Sequence, residues 1–277
     1  MRLIGQGSTR QGIWLGTLFL CALTSANADV PLPLDRFSLS VGGFYPAVDA
    51  RLSASNPDIR GTDVDFNRDL DLDKHRTLPN LRLQFLVFDN QGFSFSGYRY
   101  RRSSSTTLSR DIVFDGNEYD ADAFVKASLQ LDTFNAAWYW WFAPTPQDAI
   151  GVGLGAAYYE LRGTIDADLS VNGSSMGGHG EADGNAIAPL LTLGWRHAFS
   201  DNFRGYAEFS GVRKPSGPLT GHLLNGTVGL EYYPWQNVGF ALEYSANDLD
   251  LRADRASWEG RARIHFRGPA GFVRLRF

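Results

Sequence analysis

Gly268-Pro269-Ala270-Gly271-Phe272-Val273-Arg274-Leu275-Arg276-Phe277 closes the sequence. Side chains of a strand point alternately to its two faces. Counted back from the final aromatic, Phe277, Leu275 and Val273 therefore share one face, and Arg276 and Arg274 the other. A free C-terminus frays unless it is tied down. An alternating strand that finishes on Phe reads as a closing strand with one face in lipid. Further back the parity changes: Trp258, Gly260, Ala262, Ile264 and Phe266 are even, whereas Val273, Leu275 and Phe277 are odd. One extra residue near Gly268-Pro269 would reconcile them, which predicts a β-bulge there.

The same two-residue period recurs along the chain. Leu81, Leu83, Phe85 and Val87 alternate with Arg82 and Gln84, and Ile150, Val152, Leu154 and Ala156 alternate with Gly151, Gly153 and Gly155. It predicts ten strands, with eight to twelve possible, over roughly 36–55, 76–89, 92–105, 121–142, 148–168, 185–199, 203–214, 219–233, 238–252 and 256–277. Short turn-rich links, such as Asp89-Asn90-Gln91-Gly92 and Ser200-Asp201-Asn202, alternate with longer polar segments near 56–75, 106–120 and 169–184. About ten residues cross a bilayer, so strands twice that length should project beyond it. Pro189, which cannot donate a ladder bond, is expected near the outer rim.

Aromatics crowd the short turns: Trp138 to Phe142, then Trp195, Phe199 and Phe203, then Tyr232, Tyr233 and Trp235. That is the placement of a membrane-interface girdle. A soluble β-sandwich also alternates apolar with polar residues, so alternation alone does not decide. The girdle, the uneven loops and the last strand decide for an all-β, closed, antiparallel transmembrane β-barrel. In hydrocarbon an unpaired backbone group costs several kcal/mol, so the sheet must have no edge there. An even strand count puts both termini on the short-turn, periplasmic side.

At the N-terminus, Arg2 and Arg10 precede an apolar core, Ile13 to Leu23, and Ala26-Asn27-Ala28 is a small-x-small cleavage pattern. Residues 1–28 read as a signal peptide and 29–277 as a single barrel domain. The one cysteine, Cys21, leaves with the signal. The net charge of −4, with no basic stripe, argues against a nucleic-acid partner.

The last strand resembles that of the bacterial outer-membrane β-barrel proteins, the small porin-like and OmpW-like barrels among them. The resemblance implies an outer-membrane location. It also implies that Val273, Leu275 and Phe277 form the signal read by the barrel-insertion machinery, with outer-membrane lipid as the surrounding partner.

If the Leu, Val and Phe parity faces lipid, the opposite parity faces the lumen. It carries Arg196, Arg204, Glu208, Glu231, Glu243, Arg274 and Arg276, which should pair into a network because a narrow lumen cannot leave charges alone. Such a network either plugs the barrel or forms a charged constriction. Three patterns suggest chemistry and are set aside. Asp63, Asp65, Asp69, Asp71 and Asp73 could bind a hard cation, but Lys74 and Asn80 occupy the glycine and glutamate positions of a calcium loop. Gly173-Ser174-Ser175-Met176-Gly177, with His179 nearby, matches a nucleophile elbow but lacks a following helix. The glycines at 151, 153 and 155 fall inside a strand, not a phosphate loop. No cofactor or metal is expected, nor enzymatic activity. The expected role is structural, or a narrow small-solute channel. The alternatives are surface binding through the long loops and, last, hydrolysis of outer-leaflet lipid.

Overall fold

The computed structural model describes residues 33–277 except 56–58, 73–74, 76, 143, 172–173, 218 and 256–257; the side chains of 168–177, 219, 255 and 258 are also outside the description. The signal segment, its cleavage site and Cys21 lie outside the described residues. The strands are β1 (Phe37–Phe44), β2 (Ala47–Ser55), β3 (Val64–Asp65), β4 (Leu78–Phe88), β5 (Gln91–Thr107), β6 (Ile112–Phe114) and β7 (Asn117–Tyr119). They continue with β8 (Phe124–Phe142), β9 (Asp148–Val171), β10 (Ser174–Ala198), β11 (Phe203–Lys214), β12 (Leu219–Tyr232), β13 (Val238–Arg255) and β14 (Trp258–Arg276).

Ten positions form one antiparallel ring. β1 and β2 act as one strand, both pairing with β14 in the same register, and the ring runs on through β4, β5 and β8 to β14. The barrel closes where Phe37 and Phe277 exchange backbone bonds of 3.0 and 2.9 Å. Paired residues followed from Arg276 through Ser38, Gln84, Ser94, Ala137, Gly155, Leu190, Val212, Leu223 and Leu249 return to β14 at Ile264, twelve residues up the same strand. That stagger sets a strand tilt of about 40° and a backbone radius of about 10 Å. Inward side chains from facing walls therefore meet.

The short links lie at one end, with the chain terminus, and are called the turn end here. From it, five outward positions on each long strand are apolar: Phe142 to Phe134 on β8, Ile150 to Tyr158 on β9, Trp195 to Ile187 on β10. At this tilt they make a band that spans about 20 Å from first to last, close to the height of an outer-membrane apolar belt. Its residues are exposed, as Leu242 (65%), Leu154 (59%) and Val228 (58%) show. Leu193, Leu230 and Phe240 face outward, not into a second sheet, which excludes a sandwich. Above the band the same outward parity turns polar on every long strand: Asp132, Glu160, Asn185, Asp248 and Arg267. Cross-strand ion pairs lace that upper exterior, including Arg99–Asp132 at 2.8 Å, Arg162–Glu181 at 3.1 Å and Arg261–Asp250 at 2.6 Å.

Two expectations need correcting. β14 has no bulge at Gly268-Pro269; its register with β13 and with β1–β2 is unbroken. Even residues face inward from Gly260 to Arg274. The parity change is a change of surroundings: Ile264 and Phe266 are buried inside, while Arg267, His265, Arg263 and Arg261 take the outside above the band. Nor is 169–184 a loop. β9 and β10 pair from Val171↔Ser174 down to Asp148↔His197. A polar, glycine-rich sequence suits a strand pair there because its outer face is in water and its inner glycines receive rings, Tyr119 against Gly178 and Phe114 against Gly180. Pro189 falls one residue beyond the last pair of the β10–β11 ladder, Leu190↔Val212.

Candidate functional site: the filled lumen

From the turn end upward, the lumen is filled in three layers. The lowest is ionic. Arg274 reaches Glu231 at 2.6 Å and Asp35 at 3.2 Å, and donates to Ser38 Oγ at 3.0 Å. Arg204 pairs with the other Asp35 oxygen at 2.8 Å. Arg196 bridges Glu208 at 3.3 Å and Glu231 at 3.9 Å and donates to Gln84 at 2.9 Å. Arg82 pairs with Glu243 at 2.6 Å, and Tyr206 donates to the same carboxylate. Four arginines thus meet four carboxylates, and the cluster is neutral as a whole. Glycines on neighbouring strands make room for flat rings over it: a Cβ on Gly151 would strike Trp141, and one on Gly229 would strike Tyr206. The Arg196 guanidinium lies over Trp141 at 5.5 Å.

Of the residues read from the sequence, Arg196, Arg204, Glu208, Glu231, Glu243 and Arg274 come together. Arg276 does not join them. It sits at the lip, 3.7 Å from the Tyr233 ring, and donates to the Gln236 and Asp201 carbonyls. The sequence reading missed Asp35, Arg82, Gln84, Tyr206 and Tyr233. Arg82 and Gln84 were legible, since they alternate with Leu81, Leu83 and Phe85. Asp35 precedes the first strand and had no parity to betray it. Val273 and Phe277 lie on the outward face, 47% and 58% exposed.

The middle layer is neutral and polar. Asn80, Ser96, Asn135, Thr227 and Ser245 line a cavity of about 60 Å³, room for a few waters. Thr227 and Ser245 hydroxyls bond each other at 2.9 Å, whereas the Asn80 and Asn225 side-chain oxygens have no partner among the described residues.

The top layer is apolar and is supplied by the connections. Segment 59–72, with β3, buries Val64, Phe66, Leu70 and Leu72; segment 108–123, with the β6–β7 hairpin, buries Leu108, Ile112, Phe114 and Tyr119. They are tied to each other by Thr62 N–H to the Val113 carbonyl at 2.8 Å, and to the wall by Tyr119 to the Ile165 carbonyl at 3.0 Å. Segments 56–75 and 106–120 are therefore in large part a cap folded into the barrel mouth, not free loops.

Three carboxylates of the acidic run meet arginines, Asp65 through Arg51 at 3.4 Å, and Asp73 lies outside the described residues. Asp69 receives Arg110 at 2.5 Å and Arg68 at 3.1 Å, and Asp63 pairs with Arg263. No group of three potential metal-ligating side chains occurs among the described residues. Burial pushes the Asp69 carboxyl up, but bonds from Arg110, the Asp65 N–H and Arg68 outweigh it and hold it below its ordinary value. A carboxyl so depressed stabilises the fold above its unfolded pKa of about 3.9 and loses that contribution as pH falls through the lower folded value. Amide exchange protection over Asp65–Leu72 should thus drop selectively below about pH 4, and Arg110→Gln should reproduce the drop at neutral pH. Equal protection across that range would show that the pair does not anchor the cap.

Of the elbow-like motif, Gly173 lies outside the described residues, and Ser174 to Gly177 run straight into β10 with no helix after them. His179 bonds Asp166 at 2.5 Å on the outer face.

No protein-family model matches the chain, and no curated protein does. Solved structures do. The outer membrane protease OmpT from Escherichia coli aligns over 87% of this chain and 97% of its own, at 10% identity and a TM-score of 0.52. The outer membrane protein OprG from Pseudomonas aeruginosa aligns over 89% and 100%, at 10% identity and a TM-score of 0.40. The toluene transporter TodX from Pseudomonas putida aligns over 88% and 91%, at 7% identity and a TM-score of 0.34. At 10% identity the OmpT match shows the fold alone, that of an outer-membrane β-barrel.

Proposed function

We propose that the protein is a closed, non-conducting outer-membrane barrel, turn end to the periplasm, whose task is to hold a rigid rim of strands beyond the outer leaflet. One observation carries the reading: the lumen is filled from the Arg204–Asp35 pair at the bottom to Phe114 and Phe66 at the top. A solute channel needs a continuous wet path with sites weak enough to leave. Here an ion would have to part a paired ionic layer and then a dry apolar one, and each step exposes buried charge or requires crossing an apolar core.

The rim has the build of a working surface. β9 and β10 have 24 and 25 residues, about twice what the bilayer needs. One of the proteins matched by fold, OmpT, is a protease. We assign no enzymatic role, because the histidines above the band that pair with carboxylates, His179 with Asp166 and His265 with Asp248, do so on the convex exterior.

Planar-bilayer recording tests the closed state. Purified protein inserted at high salt should give no resolvable conductance steps, whereas a stable open pore would overturn the proposal. Deleting 59–72 should still leave the bilayer silent, because the ionic layer remains.

A further inference from the structure

The barrel wall is uneven, and the low place in it has an unfinished edge. β11 ends at Lys214 and β12 begins at Leu219, while β10 runs on from Pro189 to Ser174 beside them. Which β10 backbone groups face that gap follows from parity. Ala198 donates to the Gln147 carbonyl on the β9 side, and Phe199 to the Phe203 carbonyl on the β11 side. Even residues therefore bond β9 and odd residues face β11. Pro189 is odd; its missing N–H points at the gap where the β10–β11 ladder stops. Above it the N–H and C=O groups of Ile187, Asn185 and Asp183 face the same way. The β10–β11 register ends below them, at Leu190↔Val212, so among the described residues no strand pairs with them on that side. Higher still, the cap closes the edge: Asn117 donates to the His179 carbonyl at 2.9 Å, and Glu181 N–H donates to Asp115 at 3.3 Å.

Behind this edge the inner face is an apolar groove. Ala186 and Ala188 line it with Leu161, Leu251, Leu223 and Val212, around cavities of about 40 and 20 Å³. A Cβ placed on Gly184 would meet nothing within 4 Å. On the outer side, Asp183 is exposed and has no ion pair among the described residues.

We propose that residues Asp183–Ile187 of β10 form a docking edge for an extended polypeptide segment of alternating apolar and cationic residues. Unpaired donors and acceptors repeating every two residues match another extended backbone and nothing in a lipid. The incoming strand would put its apolar side chains into the groove beside Gly184 and its cationic ones outside, near Asp183. The site deepens the proposed rim function and rests on the rim being presented to the outside.

The probe is a fluorescein-labelled peptide of seven alternating valines and lysines, read by anisotropy against the full-length barrel in lipid nanodiscs. Saturable binding is expected, together with no binding by the same peptide N-methylated at every second residue. Asn185→Pro removes a donor that faces the gap and, being odd, no bond to β9; it should weaken binding at least tenfold while heat-modifiable gel migration is retained. If Asn185→Pro fails to insert, Gly184→Leu, which fills the groove without touching the backbone, should weaken binding likewise. No saturable binding, equal binding of the N-methylated peptide, or unaltered binding by both variants would overturn the proposal. So would an Asn185→Cys barrel that cross-links to a second copy of itself, or a groove filled by co-purified lipid that the peptide cannot displace. A conducting pore would instead sink the closed-barrel reading and leave a positive peptide result standing.

Discussion

Arg274→Met should lower the unfolding free energy by about 3–5 kcal/mol, the range for removing one partner of a buried ion pair. The reason is what stays behind. Glu231 is 1% exposed and the Asp35 side chain 5%, and the Arg274 guanidinium serves both. Without it two carboxylates share Arg196, at 3.9 Å, and Arg204. The pair is not itself a large source of stability, since well-packed apolar replacements of a buried ion pair are often neutral or stabilising. Arg274→Met/Glu231→Leu should therefore recover more than half of the loss. Urea-induced unfolding of the refolded barrel, followed by tryptophan emission and gel migration, measures both. A single substitution costing less than about 1 kcal/mol would mean that the ionic layer is wet and screened.

Leu242→Arg should be nearly as damaging, at about 2–4 kcal/mol for an arginine near the bilayer midplane. In a water-soluble protein the expectation would be the opposite, because Leu242 is 65% exposed and a charge there would sit in solvent. Moving the substitution up the same face gives the internal control: Ala246→Arg lies at the polar boundary, directly paired with Arg267, and even with that like-charge neighbour should cost only about 1 kcal/mol. Equal costs at 242 and 246 would contradict the lipid-facing band.

The second prediction depends on the band, which was legible in the sequence because lipid outside and polar lumen inside impose a strict two-residue period. Strand positions followed from it to within a few residues except at β10, which begins at Ser174 rather than near 185. The error at Gly268-Pro269 came from taking apolar to mean outward at every height. Above the band the rule inverts, and the identities of Arg267, His265, Arg263 and Arg261 carried that information. The cap was illegible for a different reason. Val64, Phe66, Leu70 and Leu72 are interspersed with carboxylates and belong to no long strand, so their burial is decided by distant strands that close over them. The ionic layer was half visible: its members on strands showed by parity, while Asp35 and the rings seated on glycines did not.

The seam between the first and last strands has a bearing on assembly. Phe37 and Phe277 meet across it, Arg274 finds Asp35 and Ser38 only through it, and the segment that becomes the stopper hangs from β2, which pairs with β14. An unsealed intermediate thus lacks the zip, a correctly partnered Arg274 and a seat for the stopper all at once. Maturation of this protein should be a single late event, with no long-lived species that is joined but leaky.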